Sequence, residues 1–350
     1  MTPRRRPDAR HVVIIGAGIG GLCAAADLAR RGARVTVLER QPAAGGKMRQ
    51  LAPAGSAGID AGPTVFTMRW VFEALFADAG RSLDDALELM PTEILARHAW
   101  RAGGRLDLFA DAERSAEAIG GLAGAAEARG YRDLVARAGD MHRTLLEPFM
   151  ASERPSPLEL VRRVKRLDAL WRTAPWRSLW GALGQHFRDP RLRQLFGRYA
   201  TYTGCSPFLA PATLMLVAHV EGSGVWLVRG GMVRAARAVQ ALAESQGAVF
   251  RFGAHVAEIS VESGRARGVR LASGERIEAD AVLFNGDVGA LPAGLLGEAA
   301  RGAARPVGRA VRSLSAVTWC VRATSSGFPL THHNVFFAED YAEEFDAVFR

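Results

Sequence analysis

Three glycines near the N-terminus, Gly16, Gly18 and Gly21, have the spacing G-x-G-x-x-G directly after the apolar run 12–15. In this pattern the first glycine permits a tight turn and the second lets the backbone approach a pyrophosphate. The third allows a helix to pack closely on a strand. Glu39 follows at about 20 residues, where a carboxylate can accept hydrogen bonds from a ribose. The spacing therefore predicts a dinucleotide site.

The segments around these residues are those that such a site needs. The run 12–15 has the composition of a buried strand, residues 22–31 are alanine-rich and helical up to Gly32, and 34–38 is a second apolar run. This order places the N-terminus of a helix at the phosphates. The alternative is a glycine-rich turn in an α/β domain that binds no cofactor.

A second glycine pair, Gly45 and Gly46, follows Glu39. An NAD-binding unit continues at this point into regular βα alternation, whereas a second loop suits an enzyme that wraps its cofactor, so FAD is favoured over NAD. The extended fingerprint resembles the FAD-containing family of amine oxidases, protoporphyrinogen oxidase, carotenoid desaturases and the Rab GDP-dissociation inhibitors. The resemblance implies that FAD contacts Gly16, Gly18, Gly21, Glu39, Arg40, Gly46, Lys47 and the backbone of Val256.

Three longer stretches resemble the phytoene desaturase-like carotenoid desaturases within this family. They are 60–76 (DAGPTVFTMRWVFEALF), 204–232 (GCSPFLAPATLMLVAHVEGSGVWLVRGGM) and 328–345 (FPLTHHNVFFAEDYAEEF). They are most similar to the enzymes that desaturate acyclic 1-hydroxycarotenoids at the 3,4 position. The resemblance implies an FAD-dependent oxidoreductase of carotenoid biosynthesis that acts on CH–CH groups. Phytoene desaturation, another amine oxidase-like flavoenzyme and a non-catalytic lipid-binding module are the alternatives.

Basic charge is concentrated in residues 154–198, which contain eleven basic residues and three acidic ones in a chain of net charge +9. A carotenoid dissolves only in lipid, so the resemblance implies a cytoplasmic enzyme peripherally associated with the inner membrane. Trp171, Trp176 and Trp180 are expected at that interface. The alternative is a solvated basic helix pair with tryptophans in the core. No nucleic-acid motif accompanies the charge, so we expect no nucleic-acid partner.

The sequence identifies no catalytic base. The histidines that qualify by residue type are His142, His186, His219, His332 and His333. Asp287 follows the apolar run 281–284 and is expected either near the flavin or as a helix cap. The three cysteines have neither metal-ligand nor disulfide spacing, and no apolar run reaches the roughly 18 residues of a transmembrane helix. We therefore expect no metal site and no membrane span.

Nucleotide-binding segments alternate with other segments along the chain. This predicts an α/β fold, with a Rossmann-type FAD-binding domain of the amine oxidase/phytoene desaturase type and an interleaved substrate- and membrane-binding domain. The predicted segments are 8–110 and 226–290 for FAD, 111–225 for a mainly helical substrate- and membrane-binding region, and 291–350 for an incomplete substrate domain. The resemblance implies a further glycine-rich FAD segment beyond residue 350, so this piece alone is expected to bind FAD weakly and to be inactive.

Overall fold

The computed structural model describes residues 10–54, 57–152, 164, 173–306, 308 and 312–349. The chain divides into two compact units. The first unit comprises residues 1–90, 226–311 and 318–323, and the second comprises residues 91–225, 312–317 and 324–350. The first unit is therefore assembled from segments that are far apart in the sequence.

The structure contains strands and helices in both units. The strands are β1 (His11–Ile15), β2 (Arg34–Glu39), β3 (Gln50–Leu51), β4 (Ile59–Asp60), β5 (Leu89–Pro91), β6 (Ile94–Trp100), β7 (Arg105–Phe109), β8 (Trp226–Val228), β9 (Val249–Phe252), β10 (Val256–Glu262), β11 (Arg265–Leu271), β12 (Arg276–Glu278), β13 (Ala281–Phe284) and β14 (Asn334–Phe337). The α-helices are α1 (Ile19–Arg30), α2 (Arg69–Asp78), α3 (Leu83–Ala86), α4 (Ala112–Ala123), α5 (Ala125–Leu145), α6 (Leu179–Leu183), α7 (Pro190–Gly197), α8 (Leu216–Gly222), α9 (Val233–Ser245) and α10 (Tyr341–Phe349). The 3₁₀ turns are Arg198–Thr203, Ala212–Met215, Val288–Ala290 and Glu298–Ala303, and a π-helical turn spans Leu146–Met150.

A parallel sheet in the order β13-β1-β2-β9 forms the centre of the first unit. Val13 and Ile14 of β1 are fully buried, because a parallel sheet is covered on both faces and its strands are apolar throughout. Helices α1 and α9 pack against each other in one apolar core. The carboxyl ends of β1, β2 and β13 consequently meet at one edge, which is where ligands bind in such sheets.

A second sheet of the first unit is the antiparallel meander β10-β11-β12. Its first turn has Ser263 and Gly264 at φ values of +49° and +74°, the left-handed pair that a tight hairpin uses. The apolar runs and the turn residues 263–264 and 273–274 predict a meander over residues 250–271, and its inclusion of residues 250–253 is wrong. Those residues lie in β9, which pairs in parallel with β2. Alternation of apolar residues indicates a strand without indicating its partner.

The second unit packs helices against the sheet β14-β6-β7. Helix α4 lies between β7 and α5, and Ile119 and Leu134 are fully buried there. The sequence predicts a strand over residues 105–109, and β7 has these bounds. Since β6 and β7 belong to this unit, the structural division falls after Met90, within the predicted segment 8–110. The functions assigned to the four segments stay predictions.

Candidate cofactor site

The glycine loop leaves the carboxyl end of β1 and leads directly into α1. Gly16 has a φ of +102°, and its N–H donates to the Leu38 carbonyl at 2.8 Å. Gly18 is the N-cap residue of α1. A Cβ on Gly21 would lie 2.1 Å from the Gly16 carbonyl oxygen, so only glycine allows this approach of helix to strand. The first turn of α1 leaves backbone N–H groups without helical partners, and these can donate to a pyrophosphate.

Glu39 ends β2 beside the glycine loop and is 8% exposed. Its Oε2 accepts a hydrogen bond from the Ala17 N–H at 2.8 Å, and its Oε1 accepts one from the Gln41 N–H at 2.9 Å. A carboxylate has about four acceptor positions, so each oxygen retains one for a ribose hydroxyl. The structure thus brings Glu39 and the glycine loop together, in the arrangement that the sequence predicts.

The second glycine pair contacts the first loop. The Gly45 N–H donates to the Ala17 carbonyl at 2.9 Å, and Gly45 forms a parallel bridge with Gly18. Gly46 has a φ of +58°, and a Cβ there would lie 3.1 Å from the Gly18 Cα. A side chain at Gly46 would push the two loops apart, whereas one at Gly45 would meet the Met48 carbonyl oxygen at 2.7 Å. The two loops and Glu39 form one concave surface, which we call the glycine cradle (residues 16–21, 39, 45 and 46).

The other predicted cofactor contacts surround the glycine cradle. Arg40 and Lys47 have exposed side chains. Val256 begins β10 and is 5% exposed. The Ala254 N–H donates to the Glu39 carbonyl at 2.9 Å, which places the start of β10 beside the end of β2. Cofactor contacts by Arg40, Lys47 and Val256 stay predictions.

Asn285 belongs to this site and was not indicated by the glycine spacing. Its Nδ2 donates to the Gly16 carbonyl at 3.4 Å, and a Cβ on Gly20 would lie 2.7 Å from its Oδ1. The strand order is the feature that identifies Asn285 as part of the site. Strands β13 and β1 are parallel neighbours, so the residues that follow them meet at one edge of the sheet. Two residues later, the Asp287 Oδ1 accepts a hydrogen bond from the Gly289 N–H at 2.8 Å. Of its two predicted positions, Asp287 therefore occupies that of a cap.

Asp60 joins two of the stretches that carry the family resemblance. Its Oδ2 accepts a hydrogen bond from the Met232 N–H at 2.9 Å, at the start of α9. Gln50 Nε2 donates to the Gly230 carbonyl at 2.9 Å. Gly231 has a φ of +86°, and a Cβ there would lie 2.1 Å from Gln50 Nε2. Gly230 and Gly231 therefore let α9 begin directly against β4.

The second unit contains a buried charged cluster around Glu221, which is 6% exposed. Glu221 accepts hydrogen bonds from the hydroxyls of Tyr199 at 3.0 Å and Tyr202 at 2.7 Å, and lies 3.5 Å from the Arg198 guanidinium. Burial and the nearby Glu221 carboxylate raise the pKa of Tyr202 to about 12 and raise that of Tyr199 well above its usual value. Both phenols therefore remain hydrogen-bond donors at neutral pH.

The five candidate histidines all belong to the second unit. Burial lowers the pKa of His142, His186 and His219, and lowers the pKa of His333 to about 4. His98 in β6 is completely buried, which lowers its pKa to about 3. Nearby positively charged groups lower the pKa of His142, His186, His219 and His333 in the same direction as burial, and nothing in these surroundings singles out a catalytic base.

The tryptophans predicted for a membrane interface have different environments. Trp171 and the basic residues around it lie outside the described residues. Trp176 is 58% exposed. The Trp180 ring lies 4.9 Å from that of Phe208 and 5.8 Å from that of Tyr341, measured between centroids. Trp180 is therefore packed within the second unit, as the alternative with core tryptophans expects.

None of the described helices combines the length and hydropathy needed to cross a bilayer. Within the same residues, no group of three or more His, Cys, Asp or Glu side chains could hold a metal ion. Cys23, Cys205 and Cys320 are free thiols, and burial raises the pKa of the Cys23 thiol to about 11. Cys23 is therefore a poor nucleophile.

Residues 19–321 match the family of flavin containing amine oxidoreductases. The chain belongs to this family, which confirms the predicted flavoprotein family and its α/β fold. An oxidoreductase from Methanosarcina mazei has the same fold, with a TM-score of 0.52 and 18% identity over 82% of this chain and 61% of that chain.

Two relatives share much higher identity. The chain is 54% identical to the hydroxyneurosporene desaturase of Rubrivivax gelatinosus, over 97% of this chain and 65% of that protein. It is 46% identical to the hydroxyneurosporene desaturase of Cereibacter sphaeroides, over 96% of this chain and 68% of that protein. The chain therefore spans about two thirds of the length of these relatives.

Proposed function

We propose that this chain is part of an FAD-dependent carotenoid desaturase, which oxidises the 3,4 C–C single bond of an acyclic 1-hydroxycarotenoid in carotenoid biosynthesis. The observation that carries the proposal is the 54% identity to a hydroxyneurosporene desaturase over 97% of the chain. The glycine cradle supports the cofactor assignment, since its close backbone approaches suit the adenosine diphosphate half of FAD. Identity of this extent does not favour the amine oxidase or lipid-binding alternatives.

The glycine cradle would hold FAD through backbone donors and one carboxylate. Gly16, Gly18, Gly21 and the first turn of α1 would bind the pyrophosphate, and Glu39 would accept hydrogen bonds from the ribose. The further proposed contacts are Arg40, Gly46, Lys47 and the backbone of Val256. When bound, FAD supplies the hydride acceptor for oxidation of a CH–CH bond. The chain's part is to orient the cofactor and to keep it in place beside the substrate.

The proposed substrate also determines where the enzyme works. An acyclic carotenoid dissolves only in lipid, so we propose that the protein associates peripherally with the cytoplasmic face of the inner membrane. The second unit would provide the substrate- and membrane-binding part, as the sequence predicts for residues 111–225. Of the tryptophans predicted for the interface, Trp176 has the exposure that an interface position requires.

Pigment analysis in cells that accumulate hydroxyneurosporene tests the proposal. Expression of the gene that encodes this chain should red-shift the pigment spectrum, because one more double bond joins the conjugated system. The matched variants are Glu39→Gln, which alters the glycine cradle, and Glu262→Gln at an exposed position. The shift should be lost in the first and retained in the second. An unchanged spectrum from a protein that retains its flavin would refute the substrate assignment.

A further inference from the structure

A groove of about 470 Å³ lies in the first unit between α9 and residues 76–86, and shares no residue with the glycine cradle. One stripe of α9 forms one wall, because its lining positions recur every three or four residues. We call it the arginine groove, and the residues that matter to its chemistry are Phe76, Arg81, Asp85, Arg234, Arg237 and Leu242. Its volume lies within the range of about 300–1,000 Å³ typical of small-ligand sites.

Three guanidinium groups in the arginine groove are available to a ligand. Arg81, Arg234 and Arg237 are exposed, and their guanidiniums make no hydrogen bond or ion pair with any described part of the chain. The neighbouring Asp84 is occupied by Arg69, whose Nη2 lies 2.7 Å from its Oδ1 and 2.8 Å from its Oδ2. Asp85 is then the one acid lining the groove, which leaves it with excess positive charge.

The start of α9 has one carboxylate, that of Asp60 on the Met232 N–H, and one nearby cation, Arg234. Arg234 lies in the first turn, and this turn contains no acidic residue. A cation at this end of a helix is repelled by the helix dipole. A phosphate group would relieve this repulsion and would accept paired N–H donors from the guanidiniums.

The floor of the arginine groove is apolar. Phe76 and Leu242 line it but are nearly covered by the protein, and the apolar surface open to a ligand comes from Ala86, Ala238 and Ala241. A ligand that fits both parts has a phosphate joined to an apolar body. Inorganic phosphate would leave this floor uncovered.

We propose that the arginine groove binds the phosphate headgroup of an anionic phospholipid. The guanidiniums hold the phosphate, and the glycerol and first acyl carbons cover the alanines of the floor. The inference rests on the proposed membrane association. It locates one lipid-binding site in the first unit, outside the basic segment 154–198. It is independent of the flavin site and of the choice of carotenoid.

Vesicle sedimentation tests the proposal with the full chain. The probes are phosphatidylglycerol mixed into phosphatidylcholine and phosphatidylcholine alone. The test variant is Arg234→Gln/Arg237→Gln. The control is Arg265→Gln/Arg276→Gln, which removes the same charge from the meander of the same unit. Melting temperature and flavin content establish that both variants fold.

Wild type and control should bind the phosphatidylglycerol vesicles, and the groove variant should bind them roughly 25-fold more weakly, since each basic residue contributes roughly five-fold at an anionic surface. Equal binding by all three proteins, or an equal loss in the control, would overturn the proposal.

Glycerol 3-phosphate is the soluble probe. If it raises the melting temperature of the wild type alone while all proteins bind vesicles equally, the groove takes a soluble phosphate ester instead. Pigment conversion is measured in a separate experiment. If that experiment refutes the proposed carotenoid substrate, the vesicle-binding result for the arginine groove remains valid.

Discussion

Replacing Gly21 with alanine tests whether the close approach of α1 to β1 builds the glycine cradle. The new Cβ would lie 2.1 Å from the Gly16 carbonyl oxygen, whereas ordinary contact begins at 3.4 Å, so the helix start or the turn must move by more than 1 Å. Overpacking of this kind destabilises by about 1–3 kcal/mol. Alanine in a helix recovers about 0.5–1 kcal/mol relative to glycine. From the middle of the two ranges the net loss is about 1 kcal/mol, which corresponds to a fall in melting temperature of roughly 2–4 °C.

The assay is the melting temperature and flavin content of the purified full-length protein with added FAD. Two matched variants should show a smaller effect and no effect on flavin binding. In Gly20→Ala the Cβ would lie 2.7 Å from the Asn285 Oδ1, an atom of a side chain that can rotate, and in Gly121→Ala it would meet nothing within 4 Å. Flavin binding should be lost in Gly21→Ala, reduced in Gly20→Ala and unchanged in Gly121→Ala. A Gly21→Ala protein with wild-type flavin content and melting temperature would refute the reasoning.

Three further predictions concern buried polar groups. Glu39→Gln places an NH₂ group against one of two backbone donors, so the affinity for FAD should fall by roughly 1–3 kcal/mol in a fluorescence titration, with Glu262→Gln unchanged. Glu221→Gln leaves the Arg198 charge buried without its carboxylate, so the second unit should lose about 3–5 kcal/mol of stability in urea unfolding. Burial lowers the pKa of His98 from 6.5 to about 3, so the unfolded chain takes up the proton first. Stability should therefore fall by about 1.4 kcal/mol per pH unit below pH 6.5, and an unchanged slope in His98→Leu would contradict this.

The sequence was informative wherever the determinants are local. The strand, turn, helix and strand from His11 to Glu39 appear close to their predicted positions, because apolar runs and glycine spacing specify them without distant partners. The loop at Gly45 is similar, since glycine at positive φ is required there by backbone geometry. Asn285 was missed because its role depends on which strand lies beside β1, and no local pattern encodes that neighbour.

The second unit shows the opposite case. Arg198 and Glu221 are charged residues that a sequence pattern assigns to solvent, but they form a buried pair, and the hydroxyls of Tyr199 and Tyr202 donate to Glu221. Trp180 was expected at an interface on the basis of its basic neighbours. Aromatic packing holds it instead, and packing of that kind depends on residues distant in sequence, such as Tyr341.

The strand order β13-β1-β2-β9 has a consequence for biosynthesis. Asn285 and Gly16, which face each other at the end of neighbouring strands, are 269 residues apart in the chain. At about 5–20 residues per second, the ribosome needs roughly 15–55 s between releasing β1 and completing β13. During that interval β1 has one unpaired edge, which can pair with other nascent chains. The proposed flavin site is complete only after this late strand has been made, so we expect chaperones that protect the early segment to raise the yield of folded protein.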